Sequence, residues 1–344
     1  MNELRVIDFG TVSALRSQSI WHALAASAGN GGPMTLSFMR PESPYVGIGM
    51  HRSIDEIDQD YCNSSLLPIF RRMVGGGPVY LDSNQLFFQV SVPREALPMS
   101  RPKAIEFVLR PFVAAFKAAG IGAQIDTNAE FSVDGVKVCG HGAGEIDGGV
   151  VVVGNLIEKF DHSRASAIME VAFDIVRVEI ESMMRRFVGL FSGAIDPNAF
   201  KASAISSLLK ATHSDEIEVA TITDHEWDLV AEYDELLSDV DWTRSPEFTP
   251  ARPKALRVIK IRAGVFVVYN TVEYRSFLMS VVFGNVETLV VDLNKRDNRV
   301  RNESHRTQLT LNDALSILLE AEVLLDNEIG VLVNAGVMER EIAA

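Results

Sequence analysis

Cysteine is scarce: 344 residues contain only Cys62 and Cys139. The two share no CxxC spacing, and no Cys/His cluster has the spacing of a zinc site. A disulfide framework is therefore disfavoured, and a reducing compartment fits. Long apolar runs are missing as well. No stretch reaches the ~18 residues that span a bilayer. The opening Met1-Asn2-Glu3-Leu4-Arg5 lacks the basic and apolar blocks of a secretory signal, so a cytoplasmic location is expected. Positive charge is in deficit, with 32 Lys and Arg against 46 Asp and Glu and a net charge of −14. That balance argues against nucleic acid as the main partner, and no membrane partner is expected. Any nucleotide must be met by few, well-placed basic groups. No internal repeat or low-complexity tract occurs.

The remaining composition, 47% hydrophobic and 23% charged, is that of a globular protein. At roughly 100–200 residues per domain the length suggests two domains. Residues 18–26 read as an amphipathic helix, with Ile20, Trp21, Leu24 and Ala25 available for one face. Residues 34–38 and 45–48 read as strands, and 55–62 carries helical spacing. A strand is expected over 79–90. A helix is expected over 102–119, kinked at Pro111 and stopped at Gly120. Residues 130–153 look like consecutive strands, with Asp134-Gly135 as a tight hairpin turn. Residues 164–240 read mostly as helices, among them 165–187. Helical pattern fades near Ser245, and Pro250 and Pro253 suggest a boundary. Strands are expected across 256–293 and a final helix over 311–325. The spacing thus implies a larger α/β domain, 1–250, and a smaller α+β domain, 251–344.

Two segments could carry chemistry. The first is Arg71-Arg72-Met73-Val74-Gly75-Gly76-Gly77-Pro78-Val79-Tyr80. Consecutive glycines leave the backbone uncovered, which suits close approach of phosphate or carboxylate oxygens to N–H groups. The adjacent arginines supply fixed, forked positive charge. A plain glycine turn with solvated arginines accounts for the same letters. The second is Gly135-Val136-Lys137-Val138-Cys139-Gly140-His141-Gly142-Ala143-Gly144-Glu145. If Val136 and Val138 face the core, strand alternation puts Lys137 on the other face, where it could meet an anion. A surface lysine on a hairpin is the plainer account. Cys139 has His141 two residues away and could be read as a nucleophile, yet an ordinary small strand residue is the plainer account. The other histidines, His22 among them, form no readable spacing. The acidic run 224–241 reads as a solvated helical face rather than a metal site.

In this order the segments resemble the lipoate–protein ligase family, within the wider group of biotin ligases and lipoyl or octanoyl transferases. The family's first signature is two arginines, a variable residue, a small hydroxyl residue, three glycines, then Ala-Val-aromatic-His-Asp. It stands here as residues 71–82. Its second signature, a lysine, an aliphatic residue and a small-Gly-small stretch, stands as residues 137–142. Tyr45-Val46-Gly47-Ile48-Gly49 matches the family's early strand. Trp242 with Ser245-Pro246-Glu247-Phe248 matches the segment that closes the ligase domain.

The resemblance implies an α+β fold. It would have a ligase-like mixed sheet flanked by helices, with residues 1–250 as catalytic domain and 251–344 as accessory domain. It implies ATP with Mg²⁺ as cofactors, lipoate as substrate, and a lysine on a lipoyl-domain or lipoate-binding acceptor protein. Lys137 is the implied catalytic residue. The implied substrate- and ATP-binding set is Arg72, Gly75, Gly76, Gly77, Val79, Tyr80, Asp82, Asn84, Asn128, Gly140 and Gly142. The sequence departs from the pattern at Val74, Pro78 and Leu81, and the stretch 142–145 differs too. It therefore looks like a divergent branch, some members of which serve lipoate-binding proteins of sulfur oxidation. The alternatives are an ATP-independent octanoyl or lipoyl transferase and a non-catalytic lipoate-binding adaptor. The transferases carry their cysteine upstream of the motif lysine, where residues 127–131 have none.

Overall fold

A computed structural model describes residues 3–126, 129–189, 193–214, 216–245, 256–272, 276–291, 309–320, 324 and 326–338. In chain order the first elements are β1 (Glu3–Val12), α1 (Arg16–Gly29), β2 (Thr35–Pro41), β3 (Tyr45–Gly49), α2 (Gln59–Ser64), β4 (Ile69–Arg72), β5 (Val79–Leu81) and β6 (Gln85–Pro93). Next come α3 (Arg101–Leu109), α4 (Phe112–Ala118), β7 (Gln124–Ile125), β8 (Phe131–Val133), β9 (Val136–Lys137), β10 (His141–Ile146) and β11 (Gly149–Ile157). The middle of the chain gives α5 (His162–Ala167), α6 (Asp174–Phe187), α7 (Pro197–Ala211), β12 (Glu216–Val219), α8 (Asp224–Ser238) and α9 (Val240–Arg244). The last are β13 (Leu256–Arg262), β14 (Val265–Asn270), β15 (Phe277–Val282), β16 (Asn285–Val291), β17 (Leu309–Thr310), α10 (Leu311–Glu320) and α11 (Asp326–Asn334). The chain divides into two compact units, 1–161 with 189–250, and 162–188 with 251–344.

The first unit is built on a six-stranded mixed sheet in the order β10-β11-β6-β2-β1-β12. Strand β1 runs parallel to β2 and β12, and the other pairs are antiparallel. Period-two alternation on β6 feeds two cores at once. Leu86, Phe88, Val90 and Val92 point into a core with Phe112 of α4 and Phe200 of α7. Phe87 joins the other core, with Ile20, Trp21 and Leu24 of α1. Both faces of the strand are covered, and the buried polar residues Gln85, Gln89 and Ser91 share the second face with Phe87. Helix α1 is buried from Ser17 to Ala28, and its alanines and serines let it lie close to the sheet.

One edge of that packing carries a saturated ion pair. Arg5 Nη1 and Nη2 donate to the two oxygens of Glu226, at 2.9 and 2.5 Å. Ser27 Oγ and the Thr223 backbone also donate to that carboxylate. Burial alone would raise the Glu226 pKa. The hydrogen bonds from Arg5, Thr223 and Ser27, with the Arg5 charge, bring it down to about 2.

Two small sheets complete the unit. One has the order β4-β3-β5 and holds the triple glycine between β4 and β5. The other has the order β7-β8-β9 and presents Lys137. Its hairpin turns at Asp134 and Gly135, both at positive φ (47° and 81°), as a two-residue primed turn requires.

The second unit has a five-stranded antiparallel sheet in the order β13-β14-β15-β16-β17. Helices α10 and α11 supply Leu318 and Leu332 to a core with Phe266, Val268, Phe277 and Met279. A mixed sheet flanked by helices, joined to a smaller C-terminal sheet unit, is the fold class expected. Among the described residues no helix is long and apolar enough to cross a membrane.

Several elements differ from their expected bounds. The expected strand 79–90 is two strands in different sheets, because Asp82 closes a turn: Oδ1 accepts from the Asn84 N–H at 3.0 Å. The expected helix 165–187 is split, since Phe173 is extended just before α6. The helix expected over 102–119 with a kink at Pro111 goes further than a kink and divides there, at Arg110–Pro111, into α3 and α4. Strands β1 and β12 went unanticipated. Of the expected final helix, Leu311–Glu320 is described as α10, residues 321–323 and 325 lie outside the described residues, and α11 follows. The proposed boundary at Pro250 and Pro253 lies outside the described residues.

Candidate active site

The two arginines of the first motif sit on β4, and both are buried. Arg71 is fully enclosed. Its guanidinium donates to the carbonyls of Gly49, Met50, Arg52, Trp242 and Thr243, at 2.8 to 3.2 Å. Trp242 Nε1 returns a bond to the Arg71 carbonyl at 3.0 Å. Burial lowers the Arg71 pKa, opposed by the charge of Glu56. This arginine ties α9 to the glycine-loop sheet.

Arg72 behaves differently. Its Nη2 donates to the carbonyls of Gly75 and Gly77, at 3.1 and 2.9 Å, so the side chain folds back under the triple glycine. Its Nη1 is buried with no hydrogen-bond partner. Burial holds its pKa down to about 10. A Cβ placed on Gly47 of β3 would lie 3.2 Å from that Nη1, so glycine here keeps space in front of an unused donor. Val79 and Leu81 border the same space.

The loop is seated by contacts that only glycines permit. A Cβ on Gly144 would lie 2.8 Å from the Met73 carbonyl oxygen and 2.9 Å from Val74 Cγ1. Val74, where the family pattern has a hydroxyl residue, is therefore an apolar plug between the loop and β10. Gly76 is exposed at φ 109°, and the first and third glycines have open space where side chains would be. His22 holds the loop's start. Its Nδ1 pairs with the Gln18 carbonyl at 2.8 Å, and its Nε2 takes the Met73 N–H at 3.0 Å. Those partners assign the neutral tautomer. Burial, opposed by the Gln18 bond and helped by the Arg72 charge, lowers its pKa to about 3. Tyr45, whose hydroxyl takes Gln18 Nε2 at 2.6 Å, is also buried, and its pKa is pushed up by burial.

The second motif runs from β9 of the β7-β8-β9 sheet into β10, the edge strand of the six-stranded sheet. Lys137 is 22% exposed, and its Nζ lies 3.2 Å from Glu130 Oε2. Gly140 N–H donates to Asn155 Oδ1 at 2.6 Å; Asn155 Nδ2 donates to Gln85 Oε1 at 2.7 Å; Gln85 Nε2 donates to the Tyr80 carbonyl at 3.3 Å. This chain of amides joins the lysine hairpin to the strand after the glycine loop. Gly142 also meets the loop, since a Cβ there would be 3.6 Å from the Gly75 carbonyl oxygen.

The structure therefore brings Arg72, Gly75, Gly76, Gly77, Tyr80, Gly140 and Gly142 into one connected region. Lys137 heads the hairpin that enters it, and Val79 borders the space before Arg72. Asp82 and Asn84 bond to one another in the β5–β6 turn. Asn128 lies outside the described residues. Cys139 is wholly buried, its thiol donates to the Gly140 carbonyl, and burial pushes its pKa up to about 12. A nucleophilic thiol needs the opposite shift. Sequence reasoning missed Glu130, His22 and Gly47. The alternation Gly47-Ile48-Gly49 in a strand was the one available signal for close backbone approach.

This arrangement, a glycine loop over a buried arginine beside a lysine hairpin, is the ground for comparison with known proteins. The lipoyl protein ligase A/B catalytic domain matches residues 14–210. The chain belongs to that family. "Lipoate--protein ligase 1" of Staphylococcus aureus is 22% identical over 190 residues, covering 54% of this chain and 56% of that protein. The chain thus spans little more than half the length of that curated relative. Among solved structures, a bi-partite lipoate protein ligase studied with its E2 lipoyl domain, from Thermoplasma acidophilum, superposes with a TM-score of 0.64. It has 23% identity and covers 71% of this chain and 97% of its own. A lipoate-protein ligase A bound with ATP gives a TM-score of 0.59 at 20% identity, covering 71% and 99%. At these identities the structural likeness establishes the fold.

Proposed function

We propose that the chain is an ATP-dependent lipoate–protein ligase. In this reading it activates lipoate to lipoyl-AMP and passes the lipoyl group to a lysine of an acceptor protein. The observation that carries it is Arg72 Nη1, a buried cationic donor with no partner, facing space kept open by Gly47 beside the glycine loop. A scaffold arginine would be saturated, and an unused buried donor costs about 1–3 kcal/mol. An anionic ligand satisfies it.

Lipoate's carboxylate is a poor acyl donor. One carboxylate oxygen attacks the α-phosphorus of ATP, the bond to the bridging oxygen breaks, and pyrophosphate leaves. Negative charge grows on the α-phosphate oxygens. The Lys137 ammonium and the N–H groups of Gly75 to Gly77 are the donors that meet it. The acceptor's lysine amine, having lost its proton, then attacks the acyl carbon and AMP leaves. Among the described residues no three His, Cys, Asp or Glu side chains gather to hold a metal, and Mg²⁺ enters with the ATP phosphates in this reading. The acceptor is a lipoyl-domain or lipoate-binding protein, the location is the cytoplasm, and residues 251–344 serve as the accessory part. Enclosure of Cys139 speaks against the acyl-enzyme route of a transferase.

The test is lipoate-dependent exchange of labelled pyrophosphate into ATP. Exchange by the wild-type protein that is lost in Lys137→Ala is the expected result. Lipoate binding without exchange would replace this reading by a transferase or an adaptor.

A further inference from the structure

The motif lysine is not held by the solvent. Its ammonium is 3.2 Å from a carboxylate that is only 4% exposed, that of Glu130. Glu130 stands just before β8, and the β8–β9 register pairs Ser132 with Lys137. The Asp126 side chain takes the Glu130 N–H at 2.9 Å, and the Val138 N–H bonds to the Phe131 carbonyl. Main-chain pairing therefore fixes both partners. Enclosing a carboxylate is unfavourable unless it is paired, and a hairpin with no further task is better served by a neutral residue.

We propose that Glu130 is a positioning residue: an internal anion that occupies the Lys137 ammonium until the substrate phosphate displaces it. This rests on the adenylating reading above. Before ligand arrives, the carboxylate keeps Lys137 extended along the hairpin and aimed at the site. When a phosphate arrives, the ammonium exchanges one anion for the other. The displaced carboxylate stays within a few ångströms of the phosphate and repels it. Orientation is gained, and nucleotide affinity is held down, which favours release of AMP after transfer.

The two effects have opposite signs in one variant, which a merely structural role does not produce. Glu130→Gln removes the repulsion but keeps the shape. Its affinity for AMP, measured by calorimetry on the full chain, rises about tenfold, as removal of one nearby like charge implies. Its maximal lipoate-dependent exchange rate falls about tenfold, because Lys137 is no longer aimed. Glu130→Asp keeps the charge but draws it back by one methylene. It leaves AMP affinity within about twofold of wild type while the exchange rate still falls. This second variant carries the test should Glu130→Gln fail to fold.

Weaker or unchanged AMP binding by folded Glu130→Gln overturns the proposal, as does a Glu130→Asp protein that matches wild type in both readouts. Tighter AMP binding by Glu130→Gln, with no exchange even in wild type, upholds the anion exchange and removes the adenylating reading. No AMP binding by either protein overturns both.

Discussion

Arg71 and Arg72 are neighbours on one strand, and both are buried, yet their surroundings differ in kind. Arg71 reaches five carbonyl oxygens and ties α9 to the loop sheet. Arg72 reaches two, both in the glycine loop, and keeps Nη1 unused. A saturated buried cation is scaffold. An unsaturated one, facing space that a glycine preserves, is a place prepared for something else. The saturated Arg5–Glu226 pair supports the same distinction at the opposite end of α1.

The comparison can be broken most directly at the chemistry. Lys137→Ala should lower lipoate-dependent pyrophosphate exchange by roughly a hundredfold or more, the usual effect of losing one charged donor to a developing anion. Melting temperature should fall too, because the buried Glu130 carboxylate loses the Lys137 ammonium. Next in size, Arg71→Met should destabilise by on the order of 3 kcal/mol, because five enclosed carbonyls lose their donor. Arg72→Met should be milder in stability, about 1 kcal/mol, and severe in activity. Equal stability losses for the two would erase the contrast. Urea unfolding curves of both variants decide it.

Protonation offers a smaller and sharper probe. Burial, against the Gln18 hydrogen bond and with the Arg72 charge, holds the His22 pKa at about 3, below the 6.5 of an unfolded histidine. The unfolded chain therefore binds the extra proton first as pH falls. The His22 contribution is complete above 6.5 and declines below it toward 3, by up to about 1.4 kcal/mol per pH unit. Loss of Glu226 stability belongs to a lower window, from 4.5 toward 2. A unfolding-stability slope between about pH 6.5 and about pH 5 should accordingly disappear in His22→Asn. Persistence of that slope would assign it elsewhere. Smallest of all, Gly77→Ala meets open space and should leave stability within about 0.5 kcal/mol, whereas Gly144→Ala presses on the Met73 carbonyl and should cost about 1–3 kcal/mol.

How much of this was legible in the sequence follows from the range of the forces involved. Local signals were readable. Asp134-Gly135 made its turn, Pro111 interrupted its helix, and the 3.6-residue pattern placed α1. The two motif segments were visible as glycine, arginine and lysine at set spacing. Long-range pairing was not readable. Strand β1 has no alternation because its middle is covered on both faces, and β12 is an exposed edge strand whose Glu-Ile-Glu-Val alternation is only four residues long inside a helical stretch. Residues 162–188 read as the start of a helical run, yet they group in space with the C-terminal strands. The division of labour between Arg71 and Arg72 was also hidden. It depends on carbonyls from residues 49–52 and 242–243, which no spacing rule connects to β4. Glu130 was hidden for the same reason, since only the hairpin register brings it to Lys137.

The most direct test of the central claim is thermal unfolding with a hydrolysis-resistant sulfamate analogue of lipoyl-adenylate. A ligand that binds only the folded state raises the melting temperature, by an amount that grows with the logarithm of its concentration over its Kd. The account predicts a clear rise in wild type that is lost in both Arg72→Met and Lys137→Ala. No rise in wild type, or an equal rise in all three proteins, would contradict it.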